Sequence, residues 1–129
     1  MTSAPSTAAF ESGLGSMEIA KALSEHDRQL FRALYDGPEH TLTTMEIAHA
    51  MGWSTHSPVN AHYGKLAQRL ARRMKWDVPP GAPQITTVAT FQGGSPDDPH
   101  TRWTMRPELV AALVSRRIVL PVRSAQPKA

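Results

Sequence analysis

One stretch of the chain combines amide and basic side chains at helical spacing. Asn60 and Gln68 carry amides, and Lys65, Arg69 and Arg72 carry cations. Amides can form paired hydrogen bonds with adenine edges, whereas Arg and Lys suit guanine edges or phosphates. This chemistry indicates binding to a polyanion rather than catalysis.

Position along this helix separates two roles. The first turns of a recognition helix meet bases and its far end meets backbone, so we assign His56, Ser57 and Asn60 to the bases. Any single cation here also has a plain structural interpretation, since amphipathic helices commonly carry Lys and Arg on their solvated face. Phosphate contacts or flanking charge are expected from Arg69, Arg72, Arg73 and Lys75. The full set of candidate DNA-binding residues is His56, Ser57, Asn60, His62, Tyr63, Gly64, Lys65, Gln68, Arg69, Arg72, Arg73, Arg102, Trp103 and Arg106.

Two candidate residues, Gly64 and Trp103, are neither basic nor amide residues and need a separate explanation. Gly64 lies inside a helical pattern, where glycine costs roughly 1 kcal/mol relative to alanine, so we expect another backbone or a ligand to approach it closely. Trp103 lies between Arg102 and Arg106. Burial is the usual state of tryptophan, but an exposed indole here would stack on a base or contact a methyl group.

Other chemistry is not indicated. The chain has no cysteine and six histidines, of which His56 and His62 are close in sequence but not on one helical face. We therefore expect no metal and no cofactor. Nucleophile elbows, phosphate loops and paired carboxylates are missing, so an enzyme is not expected. No apolar run reaches the length of about 18 residues that a membrane span needs.

Charge is unevenly distributed along the 129 residues. Residues 1–46 contain three Lys/Arg and seven Asp/Glu, whereas residues 47–129 contain eleven and four. A basic part beside an acidic part is consistent with a polyanionic partner, or with an ordinary solvated surface.

Helix-start signals divide the first half of the chain. Residues 1–15 are rich in small and polar residues and predict a flexible tail. The apolar pattern over 16–35 predicts one bent helix or two helices, because Ser24 and Asp27 resemble an internal cap. Thr43 and Glu46 form a capping box before a short helix, which Gly52 ends.

The basic stretch is the next predicted helix. Ser57 can cap it and Pro58 suits its first position. Its apolar face consists of Val59, Tyr63, Leu66, Leu70 and Met74.

A hairpin and a final helix complete the pattern. The strands "ITTVATF" and "TRWTM" are joined by a wide Gly/Pro/Asp turn, giving a hairpin over 85–106. The two aspartates of that turn would repel a duplex, so we expect the tip to lie away from DNA or to limit nonspecific binding. A helix starts near Pro107. This order predicts an α+β, mainly helical fold: a winged helix-turn-helix over 16–120, with flexible tails at 1–15 and 121–129.

The segment over roughly 28–119 resembles a small domain attached to HNH-type, modification-dependent restriction endonucleases. The residues that carry the likeness are Asn60, Tyr63, Gly64, Lys65, Trp103, Met105, Arg106, Pro107, Glu108, Ala112 and Leu113. The resemblance implies an accessory DNA-binding module that senses modified bases. Relatives usually carry a nuclease domain on the same chain, and Asn60 and His62 lie in the basic helix instead of a metal-binding hairpin. Nuclease activity is therefore not expected here.

These observations predict a cytoplasmic, nucleoid-associated protein that binds double-stranded DNA, with N6-methyladenine or 5-methylcytosine as the leading target. Two alternatives stay open. One is a phage- or mobile-element-type interaction module that inhibits a partner through its basic face. The other is a dimeric transcription regulator, whose homodimer would form through the 16–35 segment.

Overall fold

The computed structural model describes residues 4–121 of the chain. The fold is α+β and mainly helical, with 55% of the described residues in α-helices or short 3₁₀ segments, which confirms the predicted class. Within the described range the helices are α1 (Thr7–Ile19), α2 (Glu25–Tyr35), α3 (Thr44–Ala50), α4 (Ser57–Met74) and α5 (Pro107–Ser115). The strands are β1 (Thr41–Thr43), β2 (Ala89–Gln92) and β3 (Arg102–Met105). They form one antiparallel sheet in the order β1-β3-β2.

Helix α1 replaces most of the tail predicted for residues 1–15, and that prediction is wrong from Thr7 onward. Phe10 and Leu14 are completely buried, and α1 packs against both α4 and α5. Gly13 lies so close to α4 that a Cβ there would sit 2.6 Å from Cγ of Met74. The small residues suggested disorder, but they are what allow α1 to approach α4. Residues 1–3, and the tail predicted at 121–129 beyond residue 121, lie outside the described part.

The capping signals place the next helices correctly. The hydroxyl of Ser24 accepts from Asp27 N and the Asp27 carboxylate accepts from Ser24 N, so α1 and α2 are two helices rather than one bent helix. The Thr43–Glu46 box starts α3 in the same way.

The sheet differs from the predicted hairpin at two points. Strand β1 was not predicted, because three residues are too few to show an alternating pattern. Its central residue, Leu42, lies opposite Trp103. Residues Gln84–Thr87 form a helical turn, so the first hairpin strand begins at Ala89 rather than at Ile85.

Trp103 occupies the centre of the core. It is fully buried, and its ring meets Tyr63 and Phe91 edge-on, with centroid distances of 5.4 and 5.0 Å. Its indole N–H donates to Oγ1 of Thr44 over 2.8 Å. The core therefore joins the sheet to α3 and α4. None of the helices in residues 4–121 has the length and apolarity needed to cross a membrane.

Candidate nucleic-acid interface

Helix α4 is the framework of the candidate site. It begins at Ser57, one residue earlier than predicted, with His56 rather than Ser57 in the capping position. It ends where Lys75 adopts a left-handed conformation, with φ of 56°. The predicted apolar face is confirmed from Val59 to Leu70, whereas Met74 is only half-buried. Burial of that face fixes which side of α4 is left to solvent.

One side of α4 is open. Ala61, Lys65, Gln68 and Arg72 are all exposed, and their spacing of four, three and four residues aligns them along the helix. We call these four residues the α4 stripe. Three of the predicted contact residues thus lie together on one surface. Helix α4 contains no Asp or Glu among its 18 residues, so the stripe faces solvent with a positive charge.

Arg69 lies at the flank of the stripe and is engaged by the protein itself. Its two Nη atoms donate to the two Asp27 carboxylate oxygens over 2.6 and 3.1 Å, and Nη1 also donates to the Ala22 carbonyl over 3.2 Å. Burial of Asp27 opposes its ionisation. The hydrogen bonds from Arg69 and Ser24 and the Arg69 charge outweigh burial and hold the pKa of Asp27 below its ordinary value. Arg69 therefore links α4 to α2 through this ion pair and is not a free cation on the helix surface.

Arg73 points toward α1. Its Nη1 donates to Oγ of Ser16 over 3.0 Å, although the residue stays exposed. Arg73 thus lies on the side of α4 that α1 covers, away from the stripe.

His62 belongs to an aromatic cluster beside the stripe. Its Nδ1 is 2.9 Å from Nε2 of His26, and its ring centroid is 4.7 Å from that of Trp53. Burial, with the charges of His26 and Lys65, lowers the pKa of His62. A half-buried imidazole in this cluster favours the neutral form, which limits its use as a phosphate contact.

Asn60 contacts the hairpin loop. Its Nδ2 donates to Oδ1 of Asp97 over 3.0 Å, and Asn60 itself is half-buried. The loop between β2 and β3 therefore folds back toward the start of α4. The sequence predicts that the acidic tip lies away from DNA or limits nonspecific binding, and the observed contact brings one of its carboxylates to a candidate base-reading amide.

Tyr63 and Trp103, both predicted as DNA contacts, are core residues whose side chains are not exposed on the surface of the protein. Tyr63 is 2% exposed, and its hydroxyl donates to the Leu30 carbonyl over 2.5 Å. Burial raises the pKa of Tyr63 far above its ordinary value. The apolar period of α4 already placed Tyr63 on the inward face.

Gly64 is not approached by another backbone. The nearest atom to a Cβ built at Gly64, outside its own helix, is Cγ2 of Ile85 at 3.8 Å. That is ordinary side-chain contact, so among residues 4–121 no neighbouring backbone supplies the expected reason for glycine.

The remaining candidates lie at other places. His56 is half-buried and Ser57 is exposed, both at the start of α4. Arg106 donates from Nε to the Thr86 carbonyl over 2.7 Å. Arg102 is exposed on β3 and lines a groove on the outer face of the sheet, and no lining residue of that groove belongs to α4. The sequence prediction thus combined two separate surfaces.

Two acidic residues were missed as elements of the site. Asp27 was recognised as a helix cap but not as the partner of Arg69, and Asp97 was recognised as a turn residue but not as the partner of Asn60. Each pair is separated by about forty residues, 42 and 37 respectively, so no local pattern indicates it.

Within residues 4–121 no group of three or more His, Asp or Glu side chains is arranged to hold a metal ion. No family model, no curated protein and no solved structure matches the chain. The resemblance to the domain of HNH-type restriction endonucleases therefore stays a prediction.

Proposed function

We propose that this chain is a non-enzymatic protein that binds double-stranded DNA through α4 and acts in the cytoplasm, associated with the nucleoid. The observation that carries the proposal is the α4 stripe, in which Lys65, Gln68 and Arg72 project from one open side of a helix without acidic residues. The major groove is about 12 Å wide and admits one α-helix.

The order of elements supports a winged-helix arrangement. Helix α2, strand β1, helices α3 and α4 and the β2–β3 hairpin follow one another, and β3 lies between β1 and β2. In such a fold the second helix of the helix-turn-helix is the one that enters the groove. Here that helix is α4.

The stripe suggests how bases would be read. Gln68 can form paired hydrogen bonds with adenine, and Lys65 and Arg72 suit guanine edges or phosphates. Because Trp103 is buried, the apolar contact for a modified base has to come from elsewhere. Ala61 offers a methyl group on the stripe, and alanine contacts pyrimidine 5-methyl groups in the major groove. This favours 5-methylcytosine over N6-methyladenine.

A binding comparison at fixed salt tests the proposal. One labelled duplex is used in four forms: unmodified, adenine-methylated, cytosine-methylated and hydroxymethylated.

Lys65→Ala and Arg72→Ala should weaken binding to all forms. Each lost phosphate contact should also reduce the slope of log affinity against log salt by about 0.9. Arg32→Ala removes an equal charge from α2, where Arg32 pairs with Glu25, and should leave the slope unchanged. If the salt dependence of Lys65→Ala and Arg72→Ala has the same slope as that of Arg32→Ala, α4 is not the binding face.

A protein-docking function is the second candidate, and the Asn60–Asp97 contact is the observation that favours it. In that contact an amide at the start of α4 donates a hydrogen bond to a carboxylate, the group that an acidic partner protein would supply. An acidic partner protein bound to α4 would compete with a duplex, whereas a partner bound elsewhere would not displace DNA.

The dimeric regulator gains less support. In the 16–35 segment Met17, Leu30, Phe31 and Leu34 are buried within the single chain. Ile19, which is 85% exposed, is the large exposed apolar residue that this segment offers. The mass of the protein in solution distinguishes a monomer from a dimer.

A further inference from the structure

The loop between β2 and β3 brings a carboxylate to the basic helix. Asp97 accepts a hydrogen bond from the Asn60 amide at 3.0 Å, and a second acid, Asp98, follows it. Both belong to the part of the chain that a winged-helix protein would bring near the duplex. A carboxylate in that place repels phosphates and occupies an amide that could read a base.

The position of this loop is fixed by several contacts with α3. Thr44 N donates to the Thr101 carbonyl over 3.0 Å and Met45 N donates to the Pro99 carbonyl over 3.1 Å, so the loop satisfies N–H groups in the first turn of α3. The Thr44 hydroxyl also lies 3.2 Å from the Pro96 carbonyl. The loop is therefore held against the protein on both sides of Asp97.

We propose that Asp97 is a specificity-determining residue of the α4 surface. It holds the Asn60 amide when no duplex is bound, and its charge disfavours any duplex that offers only phosphates at this point. A base edge that gives Asn60 two hydrogen bonds replaces the carboxylate, whereas a nonspecific backbone contact does not. This inference rests on the proposed DNA-binding function and adds how specific and nonspecific duplexes are distinguished.

The test measures affinity for a random-sequence duplex and for the best duplex found in the four-form comparison. Asp97→Asn removes the charge, and Asp97→Ala removes the charge and the hydrogen bond. We expect both to raise affinity for the random duplex by about three- to tenfold at low salt, with a smaller gain for the preferred duplex. Asp36→Asn is the matched control, because it removes an equal charge from the C-terminal end of α2, where Asp36 lines a groove with Ala50 and Met51.

The outcomes distinguish failure of this inference from failure of the proposed DNA-binding function. If Asp97→Asn and Asp36→Asn change both affinities equally, Asp97 has no special role, while binding that depends on Lys65 and Arg72 still supports the function. If neither the wild-type protein nor Asp97→Asn binds any duplex, the function and the inference both fail.

A spectroscopic measurement checks the contact without relying on affinity. The Asn60 side-chain amide resonances should shift in Asp97→Ala and shift again when the preferred duplex is added to the wild-type protein. Resonances that stay fixed in both experiments would overturn the inference. Thermal unfolding of each variant shows that the compared proteins are folded.

Discussion

Arg69 and Asp27 form a two-pronged ion pair between α4 and α2, with N–O distances of 2.6 and 3.1 Å. The same carboxylate accepts from Ser24 N and completes the cap of α2. Asp27 is 3% exposed in its side chain, whereas Arg69 is 40% exposed. One acidic side chain thus starts a helix and also fixes the orientation of the helix that we propose binds DNA.

Because of this ion pair, replacement of Arg69 should affect the stability of the protein more than replacement of Arg72. Arg69→Ala should lower the free energy of unfolding by about 2 kcal/mol, below the range for a fully buried pair, because Arg69 is partly solvated. Arg72→Ala should change stability by no more than about 0.5 kcal/mol, since the residue is exposed. Urea denaturation of both variants measures the difference. Equal losses would mean that the Arg69–Asp27 contact contributes nothing specific.

Stability should depend on pH through His62. Its pKa in the folded protein lies below the ordinary value of 6.5, so the unfolded chain binds a proton first as pH falls. The free energy of unfolding should therefore decrease as pH drops through 6.5 toward the lower folded pKa. In His62→Gln this decrease should be smaller, and in His49→Gln, which alters an exposed residue of α3, it should persist. Identical pH profiles for wild type and His62→Gln would contradict the prediction.

Gly64→Ala should stabilise the protein by about 0.5–1 kcal/mol, because alanine is the better helix former. The added Cβ would meet Ile85 at 3.8 Å, which is ordinary contact. If a duplex approaches α4 closely at this position, the same substitution should weaken DNA binding while it raises the melting temperature. Ala61→Gly on the same helix is the converse control and should lower stability. A destabilised Gly64→Ala protein would mean that the site is tighter than described.

Phe10→Ala should lower the free energy of unfolding by about 3–5 kcal/mol, as expected for removal of a fully buried aromatic side chain. Ser12→Ala changes an exposed position on the same helix and should have little effect. Thermal or urea denaturation compares the two variants. If the Phe10→Ala protein is as stable as wild type, α1 does not contribute to the core, and the flexible tail predicted from composition is the better description of residues 7–15.

Local signals in the sequence predicted the helices well. The capping boxes at Ser24 and Thr43, and the apolar period from Val59 to Leu70, depend on neighbours within a few residues and were read correctly. Only the end of α1 lay within the helical pattern predicted for 16–35. Its first part, residues 7–15, was not predicted as helix, because its glycines and serines resemble a disordered segment and the packing of Gly13 against Met74 cannot be seen in the local sequence.

The candidate site was predicted less completely, for a physical reason. Helical spacing placed Asn60, Lys65, Gln68, Arg69 and Arg72 on one outward face, since exposure on a helix follows its period. Of these five, Lys65, Gln68 and Arg72 are exposed together. The Arg69–Asp27 ion pair and the Asn60–Asp97 hydrogen bond depend on tertiary packing between segments that are distant in sequence. A period within one helix shows which side faces outward but not which acidic residues reach its edges.

Helix α4 is held along its length by other parts of the chain. Helix α1 packs against its last turns, Asp27 binds Arg69 in its second half, and the buried Tyr63 hydroxyl donates to the Leu30 carbonyl. A duplex that docks on the α4 stripe would thus meet a stiff rod with little freedom to tilt. Any adjustment of shape would fall on the nucleic acid, so flexible base steps that the protein never touches should influence affinity.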